Sequence, residues 1–205
     1  MSKKLILLDA YALIYRAHFA FIKNPRINSK GLNTSAIFGF CNSLLEVTNK
    51  FDPSHIGVVF DPPGGSDREG VFADYKANRQ EMPEDIRKAI PHIFDLLKAM
   101  NIKVEMEEGF EADDVIGTLA KQAEKKGFET YMMTPDKDFG QLVSDHIFIY
   151  KPGRSGNPSE ILGPKEVCEK FEVKDPLQVI DILGLWGDAV DNIPGVPGAV
   201  SYTHL

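Results

Sequence analysis

Nine carboxylates stand where a folded α/β domain would bring them to one edge: Asp9, Asp61, Glu111, Asp113, Asp114, Asp136, Asp138, Asp188 and Asp191. Asp9, Asp61 and Asp136 end or closely follow apolar runs that read as buried strands, namely Leu5-Ile6-Leu7-Leu8, Ile56-Gly57-Val58-Val59-Phe60 and Tyr131-Met132-Met133-Thr134. In an open parallel sheet the functional crevice lies outside the carboxyl ends of the strands. Like charges gathered there repel one another, so something positive must hold them. Hard divalent cations with oxygen ligands are the natural answer.

The remaining acids fall into short clusters. Glu111-Ala112-Asp113-Asp114 sits at a helix start, where acids also serve the macrodipole and the cap. Asp136-Lys137-Asp138 has the DxD form that chelates Mg²⁺ or Mn²⁺ and that also occurs in plain turns. Asp188 and Asp191, three apart, share one face of a helix or turn. Two cations held about 3.5–4 Å apart would clamp the attacking and leaving oxygens of a phosphodiester. That chemistry needs many carboxylates and neither histidine nor a nucleophilic serine. The chain agrees: its histidines show no metal-ligand spacing, and it contains no Gly-x-Ser-x-Gly elbow, Walker A loop or Gly-x-Gly-x-x-Gly fingerprint.

Basic help comes from Tyr75-Lys76-Ala77-Asn78-Arg79. On a helix Lys76 and Arg79 lie one turn apart on the same face. They would stabilise charge on a scissile phosphate, with Tyr75 offering a ring for base stacking. The plain alternative is a solvated amphipathic helix. Arg16, after Tyr15, is a further phosphate-contact candidate.

The elements that must position these groups alternate between strand and helix, which points to a parallel α/β sheet. Helical composition covers residues 10–22, a loop covers 24–34, and an apolar helix runs from Thr34-Ser35 to about Lys50. A strand follows at 55–60, then a Pro/Gly-rich stretch at 61–70 and helix-prone residues at 71–80. Pro83-Glu84-Asp85 opens a helix that runs to Met100. A short strand at 102–106 precedes a helix from Ala112, which Gly127 ends well. Strands at 129–134 and 146–150, a connection at 151–164 and helical sequence at 165–192 complete the reading.

The 205 residues, 43% hydrophobic and 26% charged, suit one soluble domain with a small appendage. No apolar run reaches the roughly 20 residues of a membrane helix. The N-terminal apolar run is too short for a secretory leader, so a cytoplasmic setting is expected. Cys41 and Cys168 have no ligand spacing and read as reduced thiols. The net charge of −7 argues against a basic nucleic-acid surface, yet without the nine acids the balance is +2.

In sequence order the motifs are Leu-Leu-Asp-Ala-Tyr-Ala-Leu-Ile-Tyr-Arg-Ala, Val-Phe-Asp, Tyr-Lys-Ala-Asn-Arg, Glu-Ala-Asp-Asp-Val-Ile-Gly-Thr-Leu, Thr-Pro-Asp-Lys-Asp-Phe-Gly-Gln-Leu-Val and Gly-Asp-Ala-Val-Asp-Asn-Ile-Pro-Gly-Val-Pro-Gly. Together, over residues 4–198, they resemble the 5′-nuclease domain of bacterial DNA polymerase I, within the flap-endonuclease superfamily. The resemblance implies a PIN-like, mostly parallel sheet flanked by helices, with a helical arch at about 62–95, in a catalytic domain at 1–164. It implies the start of a helix–hairpin–helix DNA-binding element at 165–198. It also implies Mg²⁺-dependent removal of 5′ flaps, RNA primers and 5′-terminal nucleotides from branched or nicked DNA, by a monomer with a polymerase domain downstream.

Carried across, Asp9, Asp61, Glu111, Asp113, Asp114 and Asp136 match a first metal region, and Asp138, Asp188 and Asp191 a second. Lys76 and Arg79 match basic residues at the arch base, and Tyr75 matches a stacking tyrosine. Ser66-Asp67-Arg68 stands where the family has Thr-Phe-Arg, and residues 199–205 leave the family pattern and truncate the hairpin. Three alternatives stay open. A DxD transferase uses only Asp136 and Asp138. A phosphatase with Asp9 as nucleophile wants an aspartate where Tyr11 stands. The third is a non-catalytic DNA-binding fragment.

Overall fold

The structure, a computed structural model, describes residues 3–153 and 157–199. Six strands form one sheet: β1 (Lys3–Asp9), β2 (His55–Val59), β3 (Lys103–Glu105), β4 (Phe128–Met133), β5 (Ile147–Lys151) and β6 (Glu160–Leu162). Their order across the sheet is β3-β2-β1-β4-β5-β6. The first five run parallel, and β6 is an antiparallel edge strand on β5. The chain thus winds outward from β1 to β3, then returns to the other side of β1. The strand order reverses between β1 and β4, the place where α/β sheets open a binding crevice.

β1 is central and covered on both faces, which is why Ile6, Leu7 and Leu8 are an unbroken apolar run with almost no exposure. Successive side chains point to opposite faces. Ile6, Leu8, Val58 and Phe60 join one core, which is closed by α1 (Ala10–Ala20), α2 (Ser35–Phe51) and α4 (Glu84–Ala99). Leu7, Val59 and Met132 join the other, closed by α5 (Ala112–Lys125), α6 (Pro164–Phe171) and α7 (Val179–Trp186). Each large aliphatic buried in this way contributes about 1.5–3 kcal/mol. Val167, Phe171 and Val179 belong to the same core as Leu7, so the segment after residue 164 is packed into the sheet.

Several expectations change in detail. Residues 71–80 are not a helix. A one-turn helix, α3 (Arg68–Val71), gives way to turns in which Lys76 takes a left-handed backbone, φ 58°. The cause is tertiary. Lys76 N–H donates to the Asp191 carbonyl (3.0 Å), Asn78 Nδ2 to Ala189 O (2.9 Å) and Asn192 Nδ2 to Asp74 O (2.8 Å), zipping this stretch to residues 188–193.

The helical reading of 165–192 breaks into α6, a 3₁₀ turn at Pro176–Gln178, and α7, with left-handed Glu172 and the Asp175-Pro176 pair as breakers. Asp188 and Asp191 therefore sit on a turn, where Asp188 Oδ1 accepts from the Val190 N–H (2.8 Å). Residues 187–199 carry no second helix of a hairpin among the described residues, and positions 200–205 of the atypical tail lie outside them.

The connection expected at 151–164 contains β6. α4 buries Ile86, Ala89, Ile93 and Leu97 against the sheet, so residues 84–95 of the expected arch are a helix packed on the core by one face.

Candidate active site

Six segments deliver the acids, one of them the turn after α7 that carries Asp188 and Asp191. Asp9 ends β1 and caps α1, accepting from the Ala12 N–H at 3.1 Å, and Thr134 Oγ1 donates to its other oxygen at 3.1 Å. Asp61, just past β2, accepts from Ala112 N–H at 2.8 Å and so ties that strand end to the start of α5. The start of α5 carries Glu111, Asp113 and Asp114. Asp136 follows β4, and Asp138 opens a 3₁₀ turn (Asp138–Leu142) whose N–H donates to Asp136 Oδ1 at 2.9 Å.

Asp9, Asp61, Glu111, Asp113, Asp136, Asp138 and Asp191 all line one open cavity of about 550 Å³. Asp114 faces an adjoining groove, and Asp188 lies beside Lys137 at 4.0 Å.

The electrostatic consequence is direct. Burial pushes Asp9 up to about 6, and repulsion from Asp61 and Asp136 adds to it against the help of its two hydrogen bonds. Burial likewise raises Asp113 to about 6, with Arg68 opposing and Asp114 and Glu111 adding. Asp138 is raised to about 6 by burial and then by Asp136. One oxygen of Asp138, Oδ1, is buried with no hydrogen-bond partner among the described residues, a costly state for a charged group. Among those residues no three carboxylates already close around a common point at ligand distance. Their like charges repel, and Asp9, Asp61, Asp113 and Asp136 each accept a hydrogen bond from the protein. An orphaned carboxylate oxygen and an all-oxygen donor set fit a hard divalent cation.

Basic groups from residues 66–79 fill the other side. Arg68 places Nη1 2.6 Å from Glu111 Oε2 and Nη2 2.6 Å from Asp114 Oδ1, with Asp113 at 3.7 Å. Lys76 Nζ lies 2.7 Å from Glu111 Oε1, Ser66 Oγ donates to the same oxygen at 2.8 Å, and Arg79 pairs with Asp191. Burial would raise Glu111, but the Lys76 and Ser66 contacts outweigh it and hold the carboxyl below its ordinary value.

Lys76 and Arg79 thus reach the cavity with seven of the nine acids, Asp114 and Asp188 lying outside it, and Tyr75 and Arg16 are placed otherwise than expected. Tyr75 is buried, with its hydroxyl 3.1 Å from Glu111 Oε2 and 3.3 Å from Asp191 Oδ2, so its ring offers no face for stacking. Arg16 turns away to the loop after β5, donating to the carbonyls of Pro152 (3.1 Å) and Gly153. The aromatic wall of the cavity is instead Tyr11, Tyr15 and Phe19. Their four-residue spacing after a strand-end aspartate was the available signal. Thr134 and Arg68 were also missed. Thr134 is readable as a polar residue ending an apolar strand, whereas Arg68 was read only as the arginine of the Ser66-Asp67-Arg68 stretch and given no role.

The raised carboxyls set a pH dependence. Unfolded aspartates titrate near 3.9, so between about pH 4 and 6 the folded, metal-free protein binds more protons than the unfolded chain, and its stability falls as pH rises through that window. Glu111, shifted the other way, contributes stability lost only as pH falls below the ordinary glutamate range. In EDTA the melting temperature is expected to be higher at about pH 5 than at about pH 7, and Mg²⁺ should restore it at the higher pH. A melting temperature that climbs from pH 5 to 7 in EDTA contradicts this balance.

The sequence profile of the family described as "5'-3' exonuclease, N-terminal resolvase-like domain" matches residues 4–172. The chain is 42% identical over 204 residues to DNA polymerase I of Bacillus subtilis, covering 99% of this chain and 23% of that protein. It is 39% identical over 203 residues to a 5′-3′ exonuclease of Aquifex aeolicus, covering 99% of this chain and 68% of that one. The chain therefore spans about a quarter of the polymerase relatives it matches. Its fold is that of bacteriophage T5 5′-exonuclease with bound zinc, at TM-score 0.78 and 20% identity, covering 96% of this chain and 71% of the other. A T5 flap endonuclease complexed with DNA and metal ions superimposes at 0.77 with 19% identity, over 96% and 71% of the two chains. No helix among the described residues is long and apolar enough to cross a membrane.

Proposed function

The chain belongs to the family of 5′-3′ exonuclease N-terminal, resolvase-like domains, and from that premise we propose that it is a divalent-metal-dependent 5′ nuclease acting on DNA ends and flaps. Nicked, branched or 5′-flap duplexes and RNA primer ends are its substrates, in the cytoplasm, as a monomer preceding a polymerase domain. The observation that carries this reading is the convergence of seven carboxylates from six segments on one cavity at the β1/β4 switch point, faced by Lys76 and Arg79.

Asp9, Asp61, Asp113 and Asp136 would hold one ion, with Asp138 and its unpartnered oxygen serving a second beside Asp188. Mg²⁺ is the ion best suited to an all-oxygen set, and Mn²⁺ would substitute. Bound there, such ions neutralise the basin, polarise the phosphate and acidify a water.

The chain's own residues do the rest. Lys76 Nζ and the Arg79 guanidinium stand on the cavity wall where negative charge grows on the phosphoryl oxygens as water adds and one P–O bond breaks. Tyr11, Tyr15 and Phe19 supply ring faces for unpaired bases beside that phosphate. Glu111, at the cavity edge, has its oxygens engaged by Lys76 and Arg68 and holds them in place, and Tyr75 braces Glu111 against Asp191. A DxD transferase leaves Asp9, Asp61 and Asp113 without a task, and their shared cavity argues against it.

The test is a 5′-labelled flap duplex incubated with the chain and Mg²⁺. Cleavage near the junction, abolished by EDTA, is the expected result. Retention of the duplex without cleavage in Mg²⁺ or Mn²⁺ would leave the non-catalytic reading standing.

A further inference from the structure

A second groove, of about 560 Å³, meets the carboxylate cavity at Asp113, Asp138 and Phe139 and runs away from it along the outer face of α5. Its wall is a stripe of α5: Asp114, Thr118, Lys121, Gln122 and Lys125, spaced i, i+4, i+7, i+8 and i+11, which places all five on one side of the helix. The opposite side of α5, Ala112, Ile116, Gly117, Ala120 and Ala123, is buried. The plain reading of such a stripe is a solvated face, and two features go beyond it.

The stripe is walled in by the 3₁₀ turn, with Gln141 and Leu142 across from it, and so forms a channel rather than a convex surface. Its two lysines are also largely uncommitted, whereas Asp114 is paired with Arg68 and Gln141 donates to the Asp138 carbonyl. Among the described residues Lys125 has no ion pair, and Lys121 has only Glu124 at 3.9 Å, whose other oxygen accepts from Ser144. No exposed ring lines the groove, because Phe139 is buried beneath it.

We propose that this groove takes the sugar–phosphate backbone of the single strand that leaves the reacting phosphate on the side away from the duplex; the inference rests on the nuclease reading above. The two arms of the crevice differ in chemistry. The arm with Tyr11, Tyr15 and Phe19 has stacking faces and lies beside Val190 and Asp191 of the terminal turns. The α5 arm has cations, amides and a hydroxyl but no ring, so it grips phosphates without reading bases. Positive charge increases with distance from the acids, from Asp113 and Asp114 at the helix start to Lys121 and Lys125 about 11–17 Å further along the axis at 1.5 Å per residue. An anionic strand is drawn outward along that gradient.

The experiment compares the parental chain with a Lys121→Glu, Lys125→Glu double variant on two flap duplexes, one with a flap of about 15 nucleotides and one with a single-nucleotide flap. The site acids and their partners are unchanged in the variant. The expected result is a loss of about tenfold in kcat/KM on the long flap, with cleavage of the short flap within about twofold of the parent. The salt dependence on the long flap should flatten by about 1.4 log units per log unit of salt, the share of two single-strand phosphate contacts.

Equal losses on both substrates, or no loss on either, overturn the proposal. A parental chain that cleaves neither duplex defeats the nuclease reading instead. The groove is then judged by fluorescence anisotropy with a labelled oligo(dT) strand, where parental binding lost in the double variant supports the groove and equal binding by the two proteins refutes it.

Discussion

Replacing Lys76 by alanine is expected to lower kcat/KM on a 5′-flap duplex by about 10²–10³-fold, the cost of removing one preorganised charge from a developing oxyanion. The fold should survive. Glu111 would keep Arg68 at 2.6 Å, Ser66 at 2.8 Å and the Tyr75 hydroxyl at 3.1 Å, so no buried carboxylate is left alone. Lys76 also carries a left-handed backbone, a conformation that costs a non-glycine residue roughly 1–2 kcal/mol and that tends to persist at functional sites. Lys76→Gly should therefore show the same rate loss with equal or greater thermal stability. A folded variant cleaving at the parental rate would remove Lys76 from the mechanism.

The second large effect has opposite signs in its two readouts. Asp9 is buried, raised to about 6, and repelled by Asp61 and Asp136. Asparagine keeps the shape and one carbonyl oxygen to accept from Ala12 N–H, while its amide NH2 faces Thr134 Oγ1, whose hydroxyl accepts instead of donating; the charge is removed. Metal-free Asp9→Asn should melt at a higher temperature than the parent at about pH 7, since the penalty of a buried, mutually repelling carboxylate is gone. Cleavage should fall by about 10³-fold or more. Losing a carboxylate that holds the ions forfeits several kcal/mol of transition-state charge stabilisation, and each 1.36 kcal/mol is tenfold in rate. Unchanged stability in EDTA together with unchanged cleavage would show that Asp9 neither suffers the basin's repulsion nor serves it.

The contrast between Lys76 and Asp9 shows where sequence reasoning reached and where it stopped. Asp9, Asp61 and Asp136 were legible because each follows an apolar run long enough to be a buried strand, and parallel strands end on one edge. Glu111, Asp113 and Asp114 were legible as a helix start for a similar local reason.

Lys76 reaches the cavity, but on a left-handed turn rather than the helix that its neighbours' composition suggested. Tyr75-Lys76-Ala77-Asn78-Arg79 has helical composition, but its hydrogen bonds to residues 188–193, more than a hundred positions away, override that preference. The same long-range contacts bury Tyr75 and spend its hydroxyl on Glu111 and Asp191, which no local pattern reveals. Arg16 illustrates the converse: its neighbour Tyr15 lines the cavity, but one residue of helix rotation turns the arginine to the Pro152 and Gly153 carbonyls. Arg68 was read in the Ser66-Asp67-Arg68 stretch without a role, because that role depends on three carboxylates that only folding brings to it. β6, three residues in a Gly/Pro-bearing stretch, is too short for periodicity to register.

The basin's stability also has a simple physical logic. Carboxylates that repel one another at a sheet edge weaken the metal-free fold, and Arg68, Lys76 and Arg79 supply internal cations that lessen the cost. Those basic groups come from the stretch between Asp61 and α4, so the part of the chain that offsets the acids is also the part that faces the substrate. Metal binding and the position of residues 66–79 are for that reason expected to be coupled.

The most direct test of the central claim, that this carboxylate basin is a divalent-cation site, is anomalous diffraction from crystals of the chain soaked in Mn²⁺. The account predicts anomalous density inside the cavity bounded by Asp9, Asp61, Asp113, Asp136 and Asp138. Manganese bound only elsewhere on the surface, with those side chains ordered and the cavity empty, would contradict it.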